Sequence, residues 1–188
     1  MILWGVWQGR GKPAFQTFFQ PFIKHMEQLE SDGITITIDG KQIITKAILL
    51  AGTMDLVAKA YVTEMTQHNG KYGCITCADP GEVVKKGKGY TRVYPFREDD
   101  QKYRLRTSAE ILQCGLVATE SGKPEYGIKG VSSLHGLEHF DIVGGIVPDY
   151  MHGVLLGVTK QLLNLLLSST NSKEPYFIGN RASKLIEG

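Results

Sequence analysis

Apolar residues recur at helical spacing between Phe15 and Leu29. Phe15, Phe18, Phe19, Phe22, Ile23, Met26 and Leu29 share one face, and Gly33 stops the pattern. Pro21 lies inside it, so the firm helix is expected after that residue, with Pro21 in the first turn. Upstream, Ile2 to Trp7 has the apolar character of a strand, closed by Gly9, Gly11 and Pro13. Downstream, Ile34 to Ile38 and Lys41 to Thr45 flank Asp39-Gly40. That dipeptide accepts the positive φ angles of a two-residue turn, which predicts a β-hairpin. Ala47 to Gly52 is continuously apolar, as a strand covered on both faces would be. A helix from Leu56 to about Gln67 is expected next, with Asn69-Gly70 as its stop.

Beyond the helix, a short strand is expected to lead into Gly73-Cys74-Ile75-Thr76-Cys77. Residues 79–147 are rich in glycine and charge, with weak periodicity, and only Ser108 to Gln113 looks helical. They are expected to form an irregular insertion. A long C-terminal helix is expected from Asp149 to about Ser168. Strand, helix, hairpin, buried strand and helix in that order predict a mixed α/β fold. The organisation is then 1–78, the α/β part; 79–147, the insertion, basic in part; and 148–188, the helical segment.

Composition narrows the class. The chain has 188 residues, 42% hydrophobic and 21% charged, which suits one folded domain and not a disordered segment. A net charge of +2 does not argue for nucleic acid. The local distribution says more, because Lys85 to Arg106 holds eight basic residues (Lys85, Lys86, Lys88, Arg92, Arg97, Lys102, Arg104, Arg106) against Glu98, Asp99 and Asp100. Tyr90, Tyr94, Phe96 and Tyr103 are interleaved with them. The three cysteines are an odd number, two of them at metal spacing, which points to a reducing compartment. The opening apolar stretch lacks a basic lead and a small-residue cleavage site. Gly153 to Leu167, broken by Thr159, Lys160, Gln161 and Asn164, falls short of the roughly 20 apolar residues of a membrane span. No membrane partner is expected.

Three places carry candidate chemistry. Asp55 follows the apolar run 47–52, where a carboxylate is rigidly held yet open to solvent; Thr53 or Asp55 could equally cap the following helix. Cys74 and Cys77 can turn both sulfurs to one point, as half of a zinc site. Two unpaired thiols and a thioredoxin-like redox pair are the alternatives, and Asp79-Pro80-Gly81 argues for a turn over the helix start that a redox pair prefers. His68, His135 and His139 are internal candidates to complete a metal site, and Cys114 has no partner at metal spacing. Asp149 stands where it can cap the last helix, with His152 on the same turn.

The order of a strand-end Asp55, Cys74-x-x-Cys77 and Asp149-x-x-His152 resembles the catalytic core of DDE-type DNA transposases. The likeness is to the CACTA (En/Spm-like) group and, more distantly, to the V(D)J recombinase. Pro13 to Leu29, Ala47 to Cys77 and Leu134 to Leu163 carry most of it, with Val57-Ala58 where many members have Pro-Ala. The resemblance implies an incomplete RNase-H-like core. In it Ile2–Trp7 would be the third strand and Ala47–Thr53 the fourth, with the first catalytic Asp and the final Glu beyond the two ends of this chain. It implies that Asp55 is a catalytic ligand of Mg²⁺ (or Mn²⁺), one of a pair of ions that activate a nucleophile and stabilise the leaving oxygen. Asp149 and His152 would form an active-site wall, and Cys74 and Cys77 would bind zinc.

The implied partner is DNA at transposon ends, with homo-oligomerisation of the parent enzyme left open, and the implied location is the nucleus. The parent would cleave DNA and transfer strands, whereas this chain alone would be inactive. An alternative is a domesticated, non-catalytic DNA-binding or assembly module, with Lys85, Lys86, Lys88 and Arg92 on phosphates. A solvated charged loop is the plainer account of those residues. A small zinc protein unrelated to transposition is a third function.

Overall fold

Aromatic packing sets the first element. Helix α1 runs Phe15–Ser31, so it begins ahead of Pro21 and encloses it. The expectation of a firm helix only after Pro21, with Pro21 in its first turn, is corrected. Proline removes one N–H and frees the carbonyl of Thr17, but Thr17 and Pro21 are both exposed, so water can take that carbonyl. The buried side meanwhile gains contacts: Phe15 stacks on Phe19 at 6.3 Å and on Tyr61 at 5.6 Å between ring centroids. The computed structural model describes residues 3–98 and 103–181. Ile2, Asp99, Asp100 and Lys102 lie outside the described residues.

The hairpin of β1 (Ile34–Ile38) and β2 (Lys41–Thr45) forms in the expected register, Ile38 opposite Lys41. Asp39 and Gly40 turn it with φ of 51° and 75°. The other two expected strands differ. Leu3–Trp7 is irregular, and Trp4 packs its ring on Phe22 and His25 at 5.5 and 5.0 Å between centroids. Residues 46–51 are also irregular, and Leu50 is 78% exposed. The strand survives only as β3, Gly52–Met54, in a two-stranded sheet with β6, Ile146–Pro148. A central strand needs a neighbour on each edge to take its backbone groups, and an apolar run alone does not supply one.

Helix α2 is Leu56–Val62, shorter than expected. Glu64 adopts φ of 52°, and the next residues turn away to pair with a distant loop. There the Thr66 N–H donates to the Gly127 carbonyl, and the Lys129 N–H to the Glu64 carbonyl, each at 2.7 Å.

The segment 79–147 is more ordered than its weak periodicity predicts. Strands β4 (Glu82–Lys86) and β5 (Gly89–Val93) form a hairpin around Gly87-Lys88. Helix α3 spans Ser108–Ser121, well past Gln113. Thr107 and Glu110 close a capping box at its start, and Gly122 with φ of 67° ends it. Ile111, Ile128, Leu134, Leu137, Phe140, Ile142 and Ile146 from this segment form the greater part of the core, joined by Ile23, Met26, Val62, Met65 and Ile75.

By internal contacts the chain divides into two units, Met1–Val147 and Pro148–Gly188. The second opens with a π-helix, Tyr150–Thr159, that passes into helix α4, Lys160–Leu167. Ten residues of π-helix is long for a conformation that mostly occurs as single turns. The side chain of Asn171 closes α4 by donating to the carbonyls of Asn164 and Leu165 at 3.1 and 3.2 Å.

Core packing around α3 yields a test. In a helix interior Gly→Ala ordinarily gains about 1 kcal/mol. At Gly115, however, a Cβ would stand 2.7 Å from the backbone carbonyl oxygen of Gly130. We expect Gly115→Ala to destabilise the protein by about 1–3 kcal/mol in urea unfolding, the usual cost of overpacking. Stabilisation would mean that the 128–131 segment is not seated against α3.

Candidate functional site

Asp55 sits between β3 and α2 and caps the helix, its Oδ1 accepting the Ala58 N–H at 2.6 Å. The side chain is half-buried. A carboxylate here is favoured by the unpaired amides of the first turn. The cap uses one carboxylate oxygen, and Oδ2 takes no part in that bond.

Asp149 plays the same part at the start of the π-helix, where Oδ1 accepts the Met151 N–H at 2.9 Å. Its Oδ2 pairs with Nδ1 of His152. That imidazole, with the Met151 amide, holds the Asp149 carboxyl below the usual carboxylate range. An ionised carboxylate only accepts, so Nδ1 of His152 carries the proton, and in the neutral ring Nε2 is the acceptor nitrogen. The cap and the dyad are thus one construction. Asp55 belongs to the first unit and the Asp149–His152 pair to the second.

Cys74 and Cys77 are free thiols, both half-buried, Cys74 in irregular chain and Cys77 in an isolated antiparallel bridge with Leu105. Burial pushes the Cys77 thiol up; the Asp79 backbone amide pulls the other way, and nearby Cys74 adds to the rise. A redox-active pair ordinarily sits at a helix start, and no helix begins at Cys74 or Cys77. Two sulfurs supply half of a tetrahedral zinc shell. Among the described residues no group of three or more His, Cys, Asp or Glu is arranged to hold a metal ion, so neither His68, His135 nor His139 completes the pair. The same holds around Asp55. Neither the zinc nor the magnesium site is completed by the described residues. His135 instead lines a cavity of about 470 Å³ with Gln16, Gln20, Glu27 and Ser133. Burial lowers its pKa, and its Nε2 is buried without a hydrogen-bond partner.

The basic segment separates into two populations. Arg106 is inside the protein at 7% exposure. Its Nε donates to the Cys77 carbonyl at 3.0 Å and its Nη2 to the Tyr126 carbonyl at 2.7 Å, with the Tyr72 carbonyl farther off at 3.5 Å. Arg97 pairs with Glu82 at 2.7 Å and reaches Asp79 at 3.6 Å, while Arg104 pairs with Glu110. Arg92 donates through Nη1 to the carbonyls of Pro80 and Gly81 at 2.7 and 3.0 Å. All four arginines are engaged within the fold, Arg106 from the interior and Arg104 in an exposed pair. By contrast Lys85, Lys86 and Lys88 are exposed at the end of the β4–β5 hairpin. Run-counting along the sequence finds the cations but cannot separate those two groups; the cue it misses is that Lys85-Lys86-Gly87-Lys88-Gly89 closes a hairpin.

No family model matches the chain, and no curated protein or solved structure does.

Substitutions at three residues probe these assignments. Asn caps about as well as Asp, so Asp55→Asn should leave stability nearly unchanged, whereas Asp55→Ala should cost about 0.5–2 kcal/mol. Equal losses in denaturant unfolding would remove the cap. Arg106→Met strips charged donors from buried carbonyls and should cost about 1.5–3 kcal/mol. Lys85→Met should stay within roughly 0.5 kcal/mol, as exposed positions do. Similar values for the two would contradict the division between structural arginines and free lysines.

Proposed function

We propose that this chain is part of the RNase-H-like core of a CACTA-like, DDE-type DNA transposase, nuclear in location, and that it contacts DNA without cutting it. The observation that carries this reading is Asp55, which stands directly after β3 and caps α2 through one oxygen. A carboxylate fixed in that way keeps its second oxygen for a Mg²⁺ or Mn²⁺ ion that other carboxylates of the parent enzyme would share. The metal would polarise phosphate and activate the attacking hydroxyl; this chain's own contribution is to hold one ligand rigid. Asp149 orienting His152 supports the active-site wall that the resemblance implies.

Exposed apolar surface supports the view that the chain works as part of something larger. Ile34, Ile36, Ile38 and Ile43 share one face of the β1–β2 hairpin, and three of them, Ile34, Ile38 and Ile43, are exposed. A two-stranded hairpin is marginal alone, and such a face is ordinarily covered. No described helix is long and apolar enough to cross a membrane.

The DNA contact is assigned to Lys85, Lys86 and Lys88, whose side chains are exposed and take no hydrogen bond or ion pair among the described residues, with Arg92 behind them as a support. A second reading is a domesticated DNA-binding module without chemistry. The free lysines favour it, because binding uses them and cutting does not require them.

The decisive experiment incubates pure protein with supercoiled plasmid and with transposon-end oligonucleotides, in Mg²⁺ and in Mn²⁺. No nicking or strand transfer is expected, because one carboxylate does not hold two ions. Metal-dependent nicking lost in Asp55→Asn would overturn the inactivity. Low-salt binding that weakens with added salt supports the DNA role, and its absence defeats it.

A further inference from the structure

The β4–β5 hairpin carries more than charge. Its register sets Lys85 opposite Tyr90 and Val83 opposite Arg92, so Val83, Lys85, Tyr90 and Arg92 share one face. On that face Tyr90 is 77% exposed and Val83 57% exposed. Lys88 occupies the turn, where Gly87 has φ of 59°, and Lys86 lies on the opposite face beside it. Arg92 is tied back to the carbonyls of Pro80 and Gly81, which anchors the base of the hairpin and leaves the outer part to Lys85, Tyr90 and Lys88.

Phosphate binding explains the lysines but not the tyrosine. In a duplex the base faces are already stacked on one another, and an aromatic ring on a flat surface meets only their backbone. An unpaired base offers its π-face, and an exposed aromatic ring beside cations is the arrangement that binds it. The other tyrosines of the basic segment are employed elsewhere. Tyr94 donates to the Gly70 carbonyl and accepts the Gly73 N–H at 2.7 Å, and Tyr103 lies under the Arg97 guanidinium at 5.2 Å. Tyr90 is in neither kind of contact and stands at the open end of the ribbon.

We propose that the Tyr90 face binds unpaired DNA, with Tyr90 stacking on an extruded or single-stranded base and Lys85 and Lys88 holding the phosphates on either side. This rests on the DNA-contact reading above and specifies the form of DNA. The surface binds and orients a strand, and no bond is made or broken.

The test is fluorescence anisotropy at low salt, with a labelled single strand and the same sequence as a blunt duplex. The wild-type chain should prefer the single strand. Tyr90→Ala should weaken single-strand binding about 5- to 150-fold, the range that base–aromatic stacking implies, and leave duplex binding within about twofold. Tyr90→Phe keeps the ring and should restore the single-strand affinity, while Tyr176→Ala, a change to an exposed tyrosine of the other unit, should do nothing. Circular dichroism checks that each variant is folded. A duplex preference, or a Tyr90→Ala effect absent or equal on both forms, overturns stacking and leaves phosphate contact by the lysines standing. If neither form binds, or binding ignores simultaneous reversal of Lys85, Lys86 and Lys88 to Glu, the DNA reading itself is overturned, and stacking with it.

Discussion

Burying the Arg106 guanidinium is the constraint on which most of the first unit depends. A cation at 7% exposure is costly unless its donors are used, and burial draws its pKa down accordingly. The protein answers with backbone. Nε and Nη2 take the carbonyls of Cys77 and Tyr126, and the Arg106 N–H donates to the Thr76 carbonyl at 2.9 Å. One residue thereby joins the cysteine loop, the turn before Ile128 and the entry to α3. Ile75, Ile111 and Ile128, each 3% exposed or less, are the apolar neighbours of those three segments. The core can be built from irregular chain because a charged hub satisfies the carbonyls that irregular chain leaves over.

The same economy explains why the basic segment misleads when read as a line of letters. Its arginines are fork-shaped donors suited to carbonyls and carboxylates, and the fold employs them there. Its hairpin lysines are point charges on flexible stems and remain outside. Residue type thus separates the two groups better than position along the run does. A reading that weighted Arg and Lys differently would have set Arg92, Arg97, Arg104 and Arg106 apart from Lys85, Lys86 and Lys88.

What could be read from the sequence was local. The β1–β2 hairpin was legible because Asp39-Gly40 dictates its turn, and the start of α3 because Ser108 to Gln113 keeps helical period. The Asp149 cap was legible for the same reason. What could not be read depends on neighbours. Ala47–Ala51 has the composition of a central strand, yet among the described residues no strand flanks it. Leu134, Leu137, Phe140 and Ile142 follow no helix or strand period, because the chain around them is turns and a short 3₁₀ segment, Ser133–Gly136. Core residues in such chain are placed by contact with α1 and α3, and periodicity has no access to that. For the candidate site, spacing identified Asp55, Cys74, Cys77, Asp149 and His152 as polar groups at element boundaries. It offered both aspartates as caps but could not show which carboxylate oxygen each cap uses.

The caps bear on how a carboxylate of the proposed metal site could be kept in place. A side chain that only binds metal is free to rotate when no metal is present, and like charges around it push it away. An N-cap carboxylate is restrained by an amide through one oxygen, as Asp55 is by Ala58. Asp149 goes a step further by using its second oxygen to orient His152. The cap therefore supplies geometry before any ligand arrives, which is the preorganisation that electrostatic catalysis requires. A capping role for these aspartates does not compete with the catalytic role proposed above. The capping bond is the means by which a lone carboxylate in a short strand–helix junction can hold the position that a metal site would need.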